Sequence, residues 1–334
     1  MIPMAQGKKI ILVGDHRQLP HIIDEEVARR MEEGVGDSDE SEWLKKSMYQ
    51  YLFSERVRAL EEKDGIQRRV TLDKQFRMHP QLGDFVSRCF YETFDRTERF
   101  ESGLPTGQFG HHLPGTDNAP AIWLDVPRTV GAGRRLGTSW TRLAEAEAIS
   151  RQLKEWIESP QGNDLNYGVI SFYKAQADLI RQELRSRLGS IADDDKRIRV
   201  GTVDSFQGME FDVVFLSIVR TLPQGWTPGD REPAKQARSL FGHLCLYNRL
   251  NVSMSRQKQL LVAVGDAALV QTDLAAEFVP GLVSFYELSA NAKAGSAGPS
   301  DTRDAALRDR EPLPRTPQES VEAAPSAALP RRDK

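Results

Sequence analysis

The sequence predicts an α/β protein in which a parallel sheet is flanked by helices. Short apolar runs rich in β-branched residues recur along the chain and have the length of buried strands. Helical periodicity fills two of the intervals between them, over 142–159 and 174–188. Strands that alternate with helices in this way form sheets with right-handed crossovers. The predicted strands are 8–15, 121–126, 167–173, 198–203, 211–219 and 259–266.

The composition is that of a soluble globular protein, with 39% hydrophobic and 28% charged residues among 334. The apolar run at 213–219 is far too short to span a bilayer, and the N-terminus lacks the apolar core of a signal peptide. Cys89 and Cys245 provide neither a disulfide framework nor metal-ligand spacing. We therefore expect an intracellular protein of the cytoplasm or nucleus, without a membrane partner. The net charge of −3 leaves nucleic-acid binding open, because a local groove can still be basic.

Four segments interrupt the pattern of strands and helices. Residues 24–42 hold nine acidic and two basic residues, which predicts a solvated insertion. Residues 92–120 and 221–243 are predicted as long connections. From about residue 291 the chain holds six of its 18 prolines and no aromatic residue, so we expect a disordered tail that cannot bury enough apolar surface to fold.

Polar residues follow the first predicted strand in the segment GDHRQLP (14–20). In open α/β sheets, ligands bind at the carboxyl ends of the strands. The amide of Gln18 could therefore orient a water molecule or contact a phosphate. A solvated glutamine in an ordinary loop explains this stretch equally well when it is taken alone.

The segment LDKQFRMHP (72–80) places the ring of Phe76 directly before the guanidinium of Arg77. Adjacent residues of an extended segment point in opposite directions. The two side chains could therefore contact two parts of one ligand. The alternative is a core residue beside a surface charge.

A loop rich in polar residues joins the two apolar strands predicted at 198–203 and 211–219. Gly208 permits close approach of the backbone to a ligand, and hydroxyl and amide groups suit phosphate and sugar contacts. Glu210 could accept hydrogen bonds from a ribose. An ordinary turn explains Gly208 but not this density of polar residues. The polar side chains of the loop are Thr202, Asp204, Ser205, Gln207 and Glu210.

Arg256 lies where a predicted short helix meets a strand, in YNRLNVSMSRQKQLLVAVGD (247–266). Arginine is the usual residue for stabilising charge on a transferred phosphoryl group. Taken alone, an arginine at the end of a helix is more often a partner of the helix dipole or a surface charge.

Taken in order, GDHRQLP, QFRMHP, VDSFQGMEFD and NVSMSRQK resemble the C-terminal half of a superfamily 1 helicase. The branch is that of the nonsense-mediated-decay helicase and its DNA-acting relatives. VISFYKAQ (169–176) and GTSWTRLAEAEAI (137–149) fit further segments of that branch. The resemblance covers about residues 1–290 and is specific, because four ordered motifs each match at several positions.

The resemblance implies a RecA-like, P-loop NTPase-type fold of the AAA class. Such helicases bind ATP with Mg²⁺ between two RecA-like domains, and single-stranded DNA or RNA crosses both. By this resemblance, residues 1–66 are a remnant of the first domain with an acidic, helical insertion. Residues 67–290 are the second domain, and residues 291–334 are the disordered tail.

The resemblance also implies roles for individual residues. Gln18 matches the glutamine that senses the γ-phosphate, and Arg77 and Arg256 match arginines that contact the phosphates, with Arg256 as the arginine finger. Phe76 matches the aromatic residue that stacks on adenine, where tyrosine is common. The remaining matches are Gln207, Gly208 and Glu210 for the nucleotide, with Glu210 on the ribose, and Ser171 and Thr202 for the nucleic-acid backbone. Ser171 stands where threonine is common, and Arg142 stands where asparagine is common and receives no role.

The phosphate-binding pattern G-x-x-x-x-G-K-[ST] does not occur in the sequence. In such helicases the Asp–Glu pair for Mg²⁺ precedes the segment that corresponds to residues 2–15. We expect both elements in an N-terminal half, in cis or in trans, and negligible ATP hydrolysis by this chain alone. The first hypothesis is thus the C-terminal part of an ATP-dependent helicase. Alternatives are a non-catalytic nucleic-acid-binding module derived from a helicase, and an inactive product of a decaying gene. The branch alone implies 5′-to-3′ polarity, and DNA and RNA are not distinguished.

Overall fold

A five-stranded parallel sheet forms the centre of the computed structural model, which describes residues 8–19 and 47–294. Two short two-stranded sheets lie outside it. The strands are β1 (Lys74–Gln75), β2 (Glu101–Ser102), β3 (Ala121–Asp125), β4 (Arg134–Leu136), β5 (Ser139–Thr141), β6 (Tyr167–Ser171), β7 (Ile198–Thr202), β8 (Phe211–Ser217) and β9 (Gln257–Gly265). The central sheet has the order β3-β9-β8-β6-β7.

Helices connect and cover these strands. They are α1 (Met48–Tyr51), α2 (Val57–Asp64), α3 (Pro80–Ser87), α4 (Leu143–Glu158), α5 (Lys174–Leu188), α6 (Pro233–Phe241), α7 (Tyr247–Ser253), α8 (Asp273–Phe278) and α9 (Pro280–Ala294). Within the described ranges, none of them combines the length and the apolar character that crossing a membrane requires.

Both faces of the central sheet are covered, as expected for parallel strands. Alternate residues of β8 point to opposite faces. Val213 and Phe215 pack in the cluster that contains residues of α4 and α5. Val214 and Leu216 pack in a second cluster with residues of α3, α6 and α9. The continuous apolar run of β8 is therefore explained by burial on both sides.

The predicted α/β architecture is confirmed, and five of the six predicted strands lie in the central sheet. The helix predicted at 174–188 has those bounds in the structure. It ends because Gly189 adopts a positive φ of 58°, a conformation that glycine accepts without a steric penalty. The helix predicted at 142–159 is one residue shorter at each end.

The strand predicted at 8–15 is not formed. Ile11 and Val13 are 89% and 86% exposed, and in the described ranges no segment pairs with residues 8–15. A strand needs a neighbour for its N–H and C=O groups. The apolar pattern of this segment is typical of a strand. It does not show whether a neighbouring strand is available for backbone hydrogen bonds.

The connection predicted at 221–243 contains α6, which buries Ala237, Leu240 and Phe241. The helix was missed because glycines and prolines precede it, although a proline at its first position favours a helix start. Residues 92–120 form a long connection, as predicted, with only short helical turns and β2. Residues 291–294 end α9 rather than beginning a disordered tail. The insertion at 24–42 and the rest of the tail lie outside the described residues.

Candidate functional site

Arg256 follows α7 and precedes β9, and its side chain is only 2% exposed. Its Nε donates to the carbonyl of Val252 at 3.1 Å, and its Nη2 donates to Gln18 Oε1 and Ser255 Oγ, both at 3.1 Å. Within residues 8–19 and 47–294 it forms no ion pair. Burial, and to a lesser extent the charge of Arg77, lower the pKa of this guanidinium to about 10. An unpaired buried cation is costly, and an anionic ligand would compensate it.

Gln18 reaches Arg256 because α7 holds the segment that carries it. The side-chain amides of Asn248 and Asn251 donate to the carbonyls of Gln18 and Arg17, at 2.7 and 2.9 Å. Arg17 forms an ion pair with Glu98, with Nε 2.7 Å from Oε2. The Gln18 backbone is therefore fixed by contacts on both sides.

Asp15 sets the orientation of the Gln18 amide. Its Oδ2 accepts hydrogen bonds from Gln18 Nε2 and from the hydroxyl of Tyr91, both at 2.7 Å. Because the amide nitrogen is bound to Asp15, the amide oxygen is turned toward Arg256. Tyr91 and Asp15 are contributors that the sequence reasoning did not identify.

Arg77 and Glu210, predicted from different motifs, meet in the structure. Arg77 Nε lies 3.2 Å from Glu210 Oε2, and Arg77 Nη1 donates to the carbonyl of Ser255 at 3.1 Å, next to Arg256. Lys258, which the sequence reasoning missed, lies 3.2 Å from Glu210 Oε1. Burial raises the pKa of the Glu210 carboxyl, but hydrogen bonds from Lys258 and Arg77 outweigh it and the net pKa is lowered. Two cations, Arg77 and Lys258, thus contact this one carboxylate.

The ring of Phe76 is 62% exposed beside this cluster. It lies over Gly103, where a Cβ atom would come within 2.2 Å of the ring. Gln75 fixes the loop: its Oε1 accepts from the backbone N–H groups of Arg77 and Met78, at 2.9 and 2.7 Å. An exposed ring on a fixed loop suits stacking on a planar ligand.

Gln207 and Gly208 lie in the exposed loop between β7 and β8. Gly208 has a φ of +78° with open space around it, which explains glycine at this position. Among the described residues, no hydrogen bond of the Gln207 side chain joins it to Arg77 or Arg256. Gln207 and Gly208 therefore lie exposed in the loop that leads to Glu210.

Ser171 and Thr202 end the neighbouring strands β6 and β7 and are partners in register. The Ser171 side chain is fully buried, and its Oγ accepts a hydrogen bond from the Tyr173 N–H at 3.2 Å. Thr202 is half-exposed at the same edge. Of the two predicted nucleic-acid contacts, only Thr202 is therefore accessible to a ligand on the surface.

Arg142, which received no role from the sequence, is fully buried in an ion pair. Its Nη1 lies 2.8 Å from Glu145 Oε1. Glu145 also accepts hydrogen bonds from Ser217 Oγ at 2.7 Å and from the Val219 N–H at 2.9 Å. Burial raises the pKa of Glu145, against the lowering effect of the Arg142 charge. This network fixes the chain as it leaves β8, where Val219 has a positive φ of 68°.

Comparison with known proteins places the chain in a family. A family model described as an AAA domain matches residues 44–268. The ATP-dependent helicase NAM7 of Saccharomyces cerevisiae is 28% identical over 80% of this chain, and helicase sen1 of Schizosaccharomyces pombe is 27% identical over 82%. The regulator of nonsense transcripts 1 homolog of Neurospora crassa is 26% identical over 80%. The chain spans only 24%, 14% and 21% of these three relatives.

The matched segment begins before α2 and ends after β9, so it includes Phe76, Arg77, Glu210 and Arg256. These matches confirm that the chain resembles the C-terminal half of superfamily 1 helicases of the nonsense-mediated-decay branch. The chain belongs to the AAA domain family.

Proposed function

We propose that this chain supplies one side of the ATP site, and part of the single-strand track, of an ATP-dependent DNA or RNA helicase. The observation that carries the proposal is the buried guanidinium of Arg256. It has no carboxylate partner in the described ranges, and it is bound to the neutral amide of Gln18. The charged groups that act on it without pairing with it are a second arginine, Arg77, and the carboxylates of Asp15 and Glu210. A triphosphate is an anion that fits such a site.

The nucleotide would be held from base to γ-phosphate by residues that the fold brings together. The exposed ring of Phe76 stacks on the adenine, and Glu210 accepts hydrogen bonds from the ribose. Arg77 and Arg256 bind the phosphates, because the planar guanidinium presents paired N–H donors to phosphate oxygens. Gln18, which is hydrogen-bonded to Arg256, would contact the γ-phosphate beside it.

The arginines would act on the transition state more than on the ground state. Charge develops on the transferred phosphoryl group, and a pre-positioned guanidinium stabilises it. When hydrolysis removes the γ-phosphate, Arg77, Arg256 and Gln18 lose their shared partner. The two sides of the site then separate, and the strand bound near Thr202 moves with this domain.

Magnesium ligands are not assigned to this chain. Among the described residues there is no group of three or more His, Cys, Asp or Glu side chains that could hold a metal ion. We assign the Mg²⁺ ligands and the phosphate-binding loop to a first RecA-like domain, in cis or in trans. By this proposal the chain alone hydrolyses ATP negligibly.

The decisive experiment combines the chain with a first RecA-like domain of the same helicase branch. ATP hydrolysis and unwinding are measured on DNA and RNA duplexes with single-stranded overhangs, and the chain alone serves as the reference. Nucleic-acid-stimulated hydrolysis by the combination, and none by the chain alone, supports the proposal. Robust hydrolysis by the chain alone would refute the assignment of the missing elements. Nucleic-acid binding without any hydrolysis in the combination would favour the non-catalytic module.

A further inference from the structure

The antiparallel hairpin β4–β5 stands apart from the central sheet. Arg134, Arg135 and Leu136 of β4 pair with Thr141, Trp140 and Ser139 of β5, in that order. Gly137 at the turn has a φ of +60°, as the tight turn of a two-stranded ribbon requires. The nucleotide site does not use this hairpin, and β4 lies outside the matched segment 137–149, which contains β5.

The hairpin is anchored over the carboxyl ends of β6 and β8. Gly133, just before β4, lies against the Val219 carbonyl so closely that a Cβ atom would come within 2.4 Å of it. Ser139 Oγ accepts a hydrogen bond from the Ala175 N–H at 3.3 Å, in the first turn of α5. These contacts fix the hairpin at both of its strands.

An arginine and a tryptophan complete the anchor. The guanidinium of Arg220, which follows β8, lies 3.8 Å from the ring centroid of Trp140. Because β6 lies between β8 and β7, the ends of β8 and β7 are about 10 Å apart at the usual strand spacing. The hairpin therefore shares the rim of the sheet with Thr202, which ends β7.

Charge on the hairpin is exposed and uncompensated. Arg134 and Arg135 are both exposed, and neither forms an ion pair with another residue of the described ranges. Their side chains leave opposite faces of the ribbon. Surface arginines elsewhere, such as Arg185 and Arg199, are paired with aspartates. Leu136 at the tip is 62% exposed, so this end of the hairpin does not pack into the protein.

We propose that the β4–β5 hairpin binds the phosphate backbone of a single-stranded nucleic acid and extends the track that passes Thr202. This inference rests on the proposed function. The two guanidiniums match backbone phosphates in charge and hydrogen-bonding geometry. The residues that anchor the hairpin are others. Within the described ranges the one hydrogen bond of these two guanidiniums joins Arg135 Nε to the Gly137 carbonyl at 3.0 Å, which leaves the remaining N–H groups of both side chains exposed.

The test measures fluorescence anisotropy of labelled oligo-dT and oligo-U with the full chain over salt concentrations from about 50 to 200 mM. The variant R134A/R135A removes both guanidiniums, and R134K/R135K keeps the charge. The control R151A/K196A also removes two positive charges, from exposed positions in α4 and just before β7, both outside the hairpin. Because all these side chains are exposed, every variant should fold, and circular dichroism checks this.

Each phosphate contact on a single strand contributes about 0.7 to the slope of log K against log salt. R134A/R135A, which loses two contacts, should therefore reduce the magnitude of this slope by about 1.4. At about 0.1 M salt its binding should be about 25-fold weaker. R134K/R135K should retain most of the affinity, and the control should match the unmodified chain. Equal affinity of R134A/R135A and the control would overturn the hairpin contact alone. No binding by the unmodified chain would overturn the proposed track and the hairpin contact with it.

Discussion

Arg256 donates a 3.1 Å hydrogen bond to the side-chain oxygen of Gln18, although 238 positions separate the two residues. The amide is neutral, so it orients the guanidinium without compensating its charge. Asp15 holds the other end of the same amide. The contact therefore joins two distant motifs and leaves the positive charge available to an anion.

Replacing Arg77 or Arg256 by alanine should lower ATP turnover on the order of 10³-fold when a first RecA-like domain is supplied, as arginine fingers do in other phosphoryl-transfer enzymes. Single-stranded nucleic acid should be present at saturation, so that turnover reports on chemistry rather than binding. R185A is the matched control, because Arg185 forms an exposed ion pair with Asp193. A loss below about tenfold in both variants would mean that their roles are misassigned.

Replacing either of two buried arginines by methionine should lower the free energy of unfolding by clearly different amounts. R142M leaves the Glu145 carboxylate buried without its partner, and should cost about 3–5 kcal/mol in the free energy of unfolding. R256M breaks no ion pair in the described part of the chain but removes three hydrogen bonds of a buried guanidinium, and should cost less, about 1–2 kcal/mol. Urea denaturation of both variants measures the difference. The double variant R142M/E145L should recover part of the loss, and equal losses for R142M and R256M would contradict the distinction.

Much of the fold follows from local patterns. The strands β3, β6, β7, β8 and β9 were predicted because their apolar runs are buried on both faces. The segment 8–15 has the same pattern and is not a strand. Burial of such a run depends on a neighbour, and a single segment of sequence does not specify one.

Each motif of the site was predictable from the sequence, but the contacts between the motifs were not. Gln18, Arg77, Glu210 and Arg256 were identified from four segments, and tertiary structure alone shows that they meet. Lys258 had a weaker signal, because it is a cation directly before the strand predicted at 259–266, two residues after Arg256. The partnership of Arg142 with Glu145 had no such signal, since a charged pair at this spacing is usually a solvated helix face.

Stability should fall as the pH drops below about 6.5, and His111 should account for part of the loss. Burial lowers the pKa of this imidazole and outweighs the hydrogen bond to the Ala119 carbonyl, which raises it; the charge of His112 adds a smaller lowering effect. Its Nδ1 accepts a hydrogen bond from the Leu113 N–H, which protonation would break. The unfolded chain therefore binds the proton more readily, so the free energy of unfolding decreases as the pH falls through the unfolded pKa. In urea denaturation at pH 7.5 and 5, H111Q should show a smaller decrease than the unmodified chain, and an identical decrease would exclude this role.

An added methyl group at Gly133 should push the β4–β5 hairpin away from the carboxyl end of β8. In G133A the new Cβ atom would lie 2.4 Å from the Val219 carbonyl oxygen. That oxygen belongs to a backbone held by Glu145, so relief requires the hairpin to move away. We expect a loss of about 1–3 kcal/mol, as for other overpacked positions.

G107A is the matched control, because no atom lies within 4 Å of the position of its added Cβ. We expect it to change the free energy of unfolding by less than about 0.5 kcal/mol. Displacement of the hairpin in G133A should also remove the stacking of Arg220 on Trp140, so tryptophan fluorescence should change in G133A and not in G107A. Native fluorescence and unchanged stability in G133A would show that the hairpin is not fixed to the end of β8 through this contact.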